Sequence, residues 1–145
     1  MIDNRTSILS LHRLRQHGHR RCLACTHPEL RLDFTLDGPR RLRSSVDFTE
    51  AMTSFNGMVH GGLIAFLIDE AFTCTLMAAG YYGATGSLQL RYRHPVQTGP
   101  TAYILVDLND RVGPCFSLTA QLVQRNRTCT TAQARFIEKE LAGEA

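Results

Sequence analysis

The sequence predicts an α+β domain in which a curved antiparallel sheet wraps one long, buried helix. Three observations lead there. The segment from Gly61 to Ala79 is apolar nearly all round its circumference, and a helix apolar on every side is a buried one. Four strand-like segments separated by short turn signals follow it. The 145 residues make one domain of ordinary size, able to bury a core without disulfides or metals.

Taken in order, residues 1–21 are basic and irregular, with Ile8, Leu9, Leu11 and Leu14 at roughly helical spacing. They are expected to form a short helix or a partly ordered arm ahead of a single domain over residues 22–145. From Leu30 the chain alternates, and LRLDFTLDG and RLRSSVDF read as two strands around the turn signal Asp37-Gly38-Pro39. The long helix follows, and Gly80 stands where a C-terminal glycine stop belongs. SLQLRYR then alternates, with Leu88, Leu90 and Tyr92 on one face and Gln89, Arg91 and Arg93 on the other. TAYILVDL comes next. FSLTAQLVQ holds Phe116, Leu118, Ala120 and Leu122 in phase, and CTTAQARFIE does the same with Ala132, Ala134 and Phe136. Turn signals at residues 97–100, 109–114 and 125–128 predict an antiparallel meander with one polar and one apolar face.

Composition narrows the function classes. A net charge of +3 is too mild to imply nucleic acid. The basic residues are fifteen arginines and one lysine, Lys139. Arginine forks suit phosphate, although codon bias is the simpler source of such a ratio. No apolar run reaches bilayer-spanning length, and the N-terminus does not resemble a secretory signal, so a soluble cytoplasmic protein is expected. Five cysteines are an odd number and point to reduced thiols. Cys22-x-x-Cys25 has His17, His19 and His27 nearby, but there is no second CxxC and the histidine spacing fits no standard finger. The expectation is therefore no metal, no cofactor and two thiols packed under the sheet.

The stretch FNGMVHGGLIAFLIDEAF carries the chemistry. The first turn of a helix has free N–H groups and the positive end of the macrodipole. Gly61 and Gly62, after His60, suit an oxyanion site there; tight packing of the helix start on the sheet explains them equally well. Asp69 lies eight residues beyond Gly61, about 12 Å along the axis. Groups acting on one carbonyl must come within roughly 3 Å of it. One helix cannot supply both, but two helices side by side in a two-fold dimer can. Glu70 is rotated ~100° from Asp69, so only one carboxylate points into a given site. Asp69 is the expected base, and Glu70 is assigned to a polar or interfacial contact.

The run VHGGLIAFLIDEA resembles the HGG-containing acyl-CoA thioesterases of the hotdog superfamily, of the phenylacetate-pathway and thioesterase-superfamily-member type. LRYRHPVQTGP resembles the family's strand-then-Pro-then-Gly turn, and CLACTHPELRLDF resembles the CxxCG opening of one branch, with Thr26 in place of the glycine. The resemblance spans roughly residues 22–138. It implies a hotdog fold, a homodimer with joined sheets that can pair into a dimer of dimers, and hydrolysis of an acyl-CoA to the free acid and CoA. By position it implies Asp69 as general base or nucleophile, Gly61 N–H as oxyanion donor, His60 shaping the helix start and Thr85 orienting water or the carboxylate. Substrate contacts would fall to Gly62, Tyr92, Arg93, His94 and Arg111. Asn56 would join them, although relatives carry their Asn or Gln two positions earlier, where this chain has Ser54. The alternative reading is a non-catalytic acyl-CoA-binding module, which the retained acid disfavours.

Overall fold

The computed structural model describes residues 4–38 and 41–141, with side chains from Ile8 onward; Pro39 of the predicted turn lies outside them. Helix α1 (Asn4–Gly18) buries Leu11, packs Ile8 and Leu14 on the core and leaves Leu9 in solvent. A one-turn helix α2 (Leu23–Thr26), strands β1 (Thr35–Leu36) and β2 (Arg41–Val46), and a 3₁₀ turn (Glu50–Met52) lead to helix α3 (Gly61–Ala78). Strands β3 (Gly83–Tyr92), β4 (Ala102–Val112), β5 (Cys115–Gln124) and β6 (Arg127–Glu138) complete the domain. In the first predicted strand only Thr35 and Leu36 join a ladder. Leu32 and Phe34 alternate inward because their side chains are buried, which needs no strand partner.

All six strands form one antiparallel sheet in the order β1-β2-β4-β5-β6-β3. The predicted meander therefore holds for β4-β5-β6 and fails for β3. That strand pairs with β6 and stands at the edge, so residues 93–101 cross to β4 instead of closing a hairpin. The crossing is fixed by one buried amide: Gln124 Nε2 donates to the carbonyls of Gln97 and Pro100 at 2.8 Å each, and its Oε1 accepts from Gln97 N–H at 2.9 Å. The hairpin between β5 and β6 turns through Arg125 and Asn126, both with positive φ (52° and 60°), as a tight two-residue turn requires.

α3 lies against the apolar face of the sheet. Phe72 meets Phe136 edge-on with ring centroids 5.9 Å apart, and its full burial is worth about 2–3 kcal/mol of transfer free energy. The helix ends at Gly80, whose φ is +93°. One expectation is corrected here: α3 has 18 residues with mean hydropathy 1.5, long and apolar enough to cross a bilayer by those measures. It is a core helix nonetheless, since 61% of it is buried inside this fold. Its burial is also not uniform. Gly62, Phe66, Asp69 and Thr73 fall on one helical stripe that the chain itself leaves partly or fully open.

Candidate active site

The start of α3 is built by the loop before it and the crossing after β3. Val59 N–H donates to Val96 O at 2.8 Å, and Thr98 N–H donates to Gly57 O at 3.2 Å. His60 is the N-cap, and its Nδ1 accepts from Gly62 N–H at 2.9 Å. A Cβ on Gly62 would lie 3.1 Å from that imidazole, so this glycine keeps the cap in place. Gly61 N–H has no acceptor among the described residues, as befits a first-turn donor. Gly62 thus makes room for its own cap and does not pack on the sheet, whereas Gly61 faces the Tyr92 ring and presents a free donor.

A cleft of ≈ 440 Å³ opens at this helix start, lined by Met58, Gly61, Gly62, Tyr92, Arg93 and His94 among others. Tyr92 OH donates to Gly61 O at 2.7 Å, and partial desolvation raises its phenol pKa above the usual range. Asn56 is exposed in the turn before Gly57, outside the cleft lining.

Asp69 lies two turns further along α3, on the half-open stripe. Thr85 Oγ1 donates to its Oδ1 at 2.6 Å. That contact depends on a bulge. Gly86 is an extra residue in β3, since Thr85 pairs with Phe136 and Ser87 with Arg135. Leu88, Leu90 and Tyr92 share one face of the strand, so unbroken alternation would turn Thr85 outward. The bulge resets the alternation and puts Thr85 level with inward-facing Phe136.

A central helix seated in a six-stranded antiparallel sheet is shared with solved proteins of low sequence identity. The E. coli PaaI protein from the phenylacetic acid degradation operon superposes with a TM-score of 0.77 at 12% identity, covering 94% of this chain and 96% of that one. Thioesterase superfamily member 2 from Mus musculus gives 0.71 at 18%, covering 94% and 98%. The family model described as thioesterase superfamily matches residues 56–106. The fold is the hotdog. No curated protein matches the chain. A hypothetical thioesterase from Streptococcus pneumoniae TIGR4, solved with coenzyme A, gives a TM-score of 0.70 at 12% identity, covering 74% of this chain and 88% of that one. Two further structures of it carry alanine in place of an aspartate and of a threonine sixteen positions apart.

Within this hotdog the remaining candidates separate. Arg111 sits at the β4–β5 hairpin, away from the cleft lining. Its guanidinium lies over the rings of Tyr81 and Phe116, donates to Gly113 O at 2.9 Å and pairs with Glu138 at 2.5 Å. Glu70 points away from Asp69 into a cluster that the sequence reading missed. Its Oε1 accepts from Cys22, Cys25 and Cys74 at 3.4, 3.3 and 3.5 Å, and His19 Nδ1 lies 3.6 Å away. The CxxC thiols thus pack against α3, not under the sheet as expected, because α2 sets them beside the helix face that α1 covers. Burial, first of all, raises the Glu70 pKa. Hydrogen bonding from the Cys74 thiol is the main cause that lowers Cys25, and the hydrogen bond to Cys25 is the main cause that raises His19. The only hint in the sequence was the CxxC with His19; Glu70 lies 45 positions beyond Cys25, outside any local pattern.

Proposed function

We propose that the protein is an acyl-CoA thioesterase, working as a homodimer in which Asp69 of one protomer and Gly61 N–H of a second serve one thioester. The observation that carries this is the short Thr85–Asp69 hydrogen bond on the half-open stripe of α3, beside an edge strand. The coenzyme A-bound pneumococcal relative supports the ligand class, and its aspartate and threonine variants share the sixteen-residue spacing of Asp69 and Thr85. Within one protomer Gly61 and Asp69 are about 12 Å apart along the helix, which requires the second copy.

In the reaction, water adds to the thioester carbonyl while Asp69 takes its proton and Thr85 holds the carboxylate in place. The carbonyl oxygen gains charge, and Gly61 N–H at the positive helix end stabilises it. The intermediate then expels the CoA thiolate, which takes up a proton, leaving acid and CoA. Pantetheine would lie in the cleft beside Tyr92. The cleft shares Arg93 and His94 with a hollow of ≈ 750 Å³ on the outer face of the sheet, also lined by Arg91. Phosphates emerging there would meet those cations. We place the enzyme in the cytoplasm, where its five free thiols stay reduced.

The test is CoA release across a panel of aryl, short-chain and long-chain acyl thioesters. Turnover of one class, abolished in Asp69→Asn, supports the reading. Tight binding of acyl-CoA with no turnover of any member would sink it in favour of a binding module. Single turnover in ¹⁸O-labelled water separates the two chemistries open to Asp69. Label in Asp69 marks attack by the carboxylate, since direct attack by water leaves that side chain unlabelled.

A further inference from the structure

The cluster around Glu70 has no part in the thioesterase reading, and its chemistry is specific. Among the described residues, one imidazole nitrogen, two thiol sulfurs and one carboxylate oxygen, from His19, Cys22, Cys25 and Glu70, lie within 4.8 Å of one another. Bonds of ~2.0–2.3 Å to nitrogen, oxygen and sulfur place the corners of a tetrahedral zinc site roughly 3.3–3.8 Å apart. The observed separations are 3.3 Å from His19 Nδ1 to Cys25 Sγ, 3.6 Å from that nitrogen to Glu70 Oε1, and 3.4 and 3.3 Å from Glu70 to the two sulfurs. These are four of the six edges of such a tetrahedron, and the other two, from Cys22 to His19 and to Cys25, are within 4.8 Å.

The charge beside the cluster is compatible with an ion there. Arg15 is 6% exposed, and its Nε and Nη1 have no hydrogen-bond partner, with Nη1 only 4.0 Å from Asp33. Its Nη2 donates to Leu32 O at 2.6 Å and to Cys74 Sγ at 3.2 Å, which places it at the edge of the cluster. A buried guanidinium with two idle groups calls for negative charge nearby. Two thiolates, one carboxylate and a neutral imidazole around a divalent ion carry a net charge of −1, the same as an ionised Glu70 beside two protonated thiols, so zinc binding leaves the charge facing Arg15 unchanged.

We propose that His19, Cys22, Cys25 and Glu70 bind a zinc ion that fastens α1 and α2 to the central helix. On binding, the thiol protons of Cys22 and Cys25 pass to solvent and both sulfurs bind as thiolates. His19 binds through Nδ1 and keeps its proton on Nε2. All four positions are taken by protein, so the site is structural and holds no water for catalysis. Cys74 stays outside it, bonded to Arg15.

The test uses the full chain, free of any affinity tag, and reads metal instead of turnover, so it stands or falls separately from the thioesterase reading. Wild-type protein from zinc-supplemented cells should carry about one zinc per chain by mass spectrometry of the metal. After chelation, cobalt(II) should give intense tetrahedral visible bands with thiolate charge-transfer absorption, and zinc should displace it. Cys25→Ser and Glu70→Gln should lose or weaken that spectrum, whereas Cys129→Ser should keep it. Zinc should also slow the reaction of wild-type thiols with a disulfide reagent several-fold, a measurement that needs no variant to fold. Metal-free protein whose cobalt spectrum stays octahedral, with thiol reactivity indifferent to zinc, overturns the proposal. So does a full tetrahedral cobalt spectrum in Cys25→Ser.

Discussion

Asp69 and Glu70 are chemically near-identical neighbours with opposite surroundings. One hydroxyl holds Asp69 on an open stripe; thiols, an imidazole and burial enclose Glu70. Asp69→Asn should cut kcat about 100-fold or more, the usual worth of a positioned base, with acyl-CoA affinity nearly unchanged by calorimetry. Near-wild-type turnover would remove Asp69 from the mechanism. Thr85→Ala should lower kcat roughly 10-fold, the value of a lost hydrogen bond to a charged group, and Thr85→Ser should restore most of it. A Thr85→Ala enzyme at full rate would show that the hydroxyl only decorates the carboxylate. At this scale the sequence was half legible. The 100° between adjacent helix positions separated the two acids, but apart from Cys74 one turn on, the surroundings of Glu70 come from residues some fifty positions upstream, which no local spacing reveals.

Among the elements, the long helix was the most legible, because an apolar circumference and a glycine stop are local properties of the chain. The place of β3 was not. A nine-residue connection looks much the same whether it closes a hairpin or crosses a sheet. What decides between them is Gln124, a polar residue at the end of an apolar strand that reads as an ordinary boundary. Gln124→Ala leaves three backbone groups without their partner and should cost about 2–4 kcal/mol in urea denaturation. It should also raise KM, since the crossing carries Arg93 and His94 into the cleft. An unaltered KM together with unaltered stability would remove the clamp from this account. Phe72→Ala should destabilise by about 3–5 kcal/mol without touching the reacting groups, and calorimetry that finds under 1 kcal/mol would place the core elsewhere.

For the whole molecule, two exposed features lie together. A ten-residue edge strand has its outer ladder unpaired, and the half-open stripe of α3 runs beside it, with Phe66 near its middle. An uncovered strand of that length invites pairing. A two-fold copy joined along β3 would bring the start of one α3 toward the Asp69 of the other. Phe66→Arg should therefore give a monomer by sedimentation, with activity lost and the circular dichroism retained. A monomer that still turns over would refute sharing of the site. Mixing Asp69→Asn with Gly61→Val protomers should restore about one working site per heterodimer, and no rescue after verified subunit exchange would refute it equally.

The extra residue at Gly86 gives β3 something like a reading frame. Downstream of it the even-numbered positions look toward the helix, and upstream the odd-numbered ones do. Taking Gly86 into the ladder as an ordinary paired residue would leave every later side chain where it is and invert the few before it, turning Thr85 to the solvent and stranding Asp69. The loss would come from parity alone, with no functional group removed from the protein.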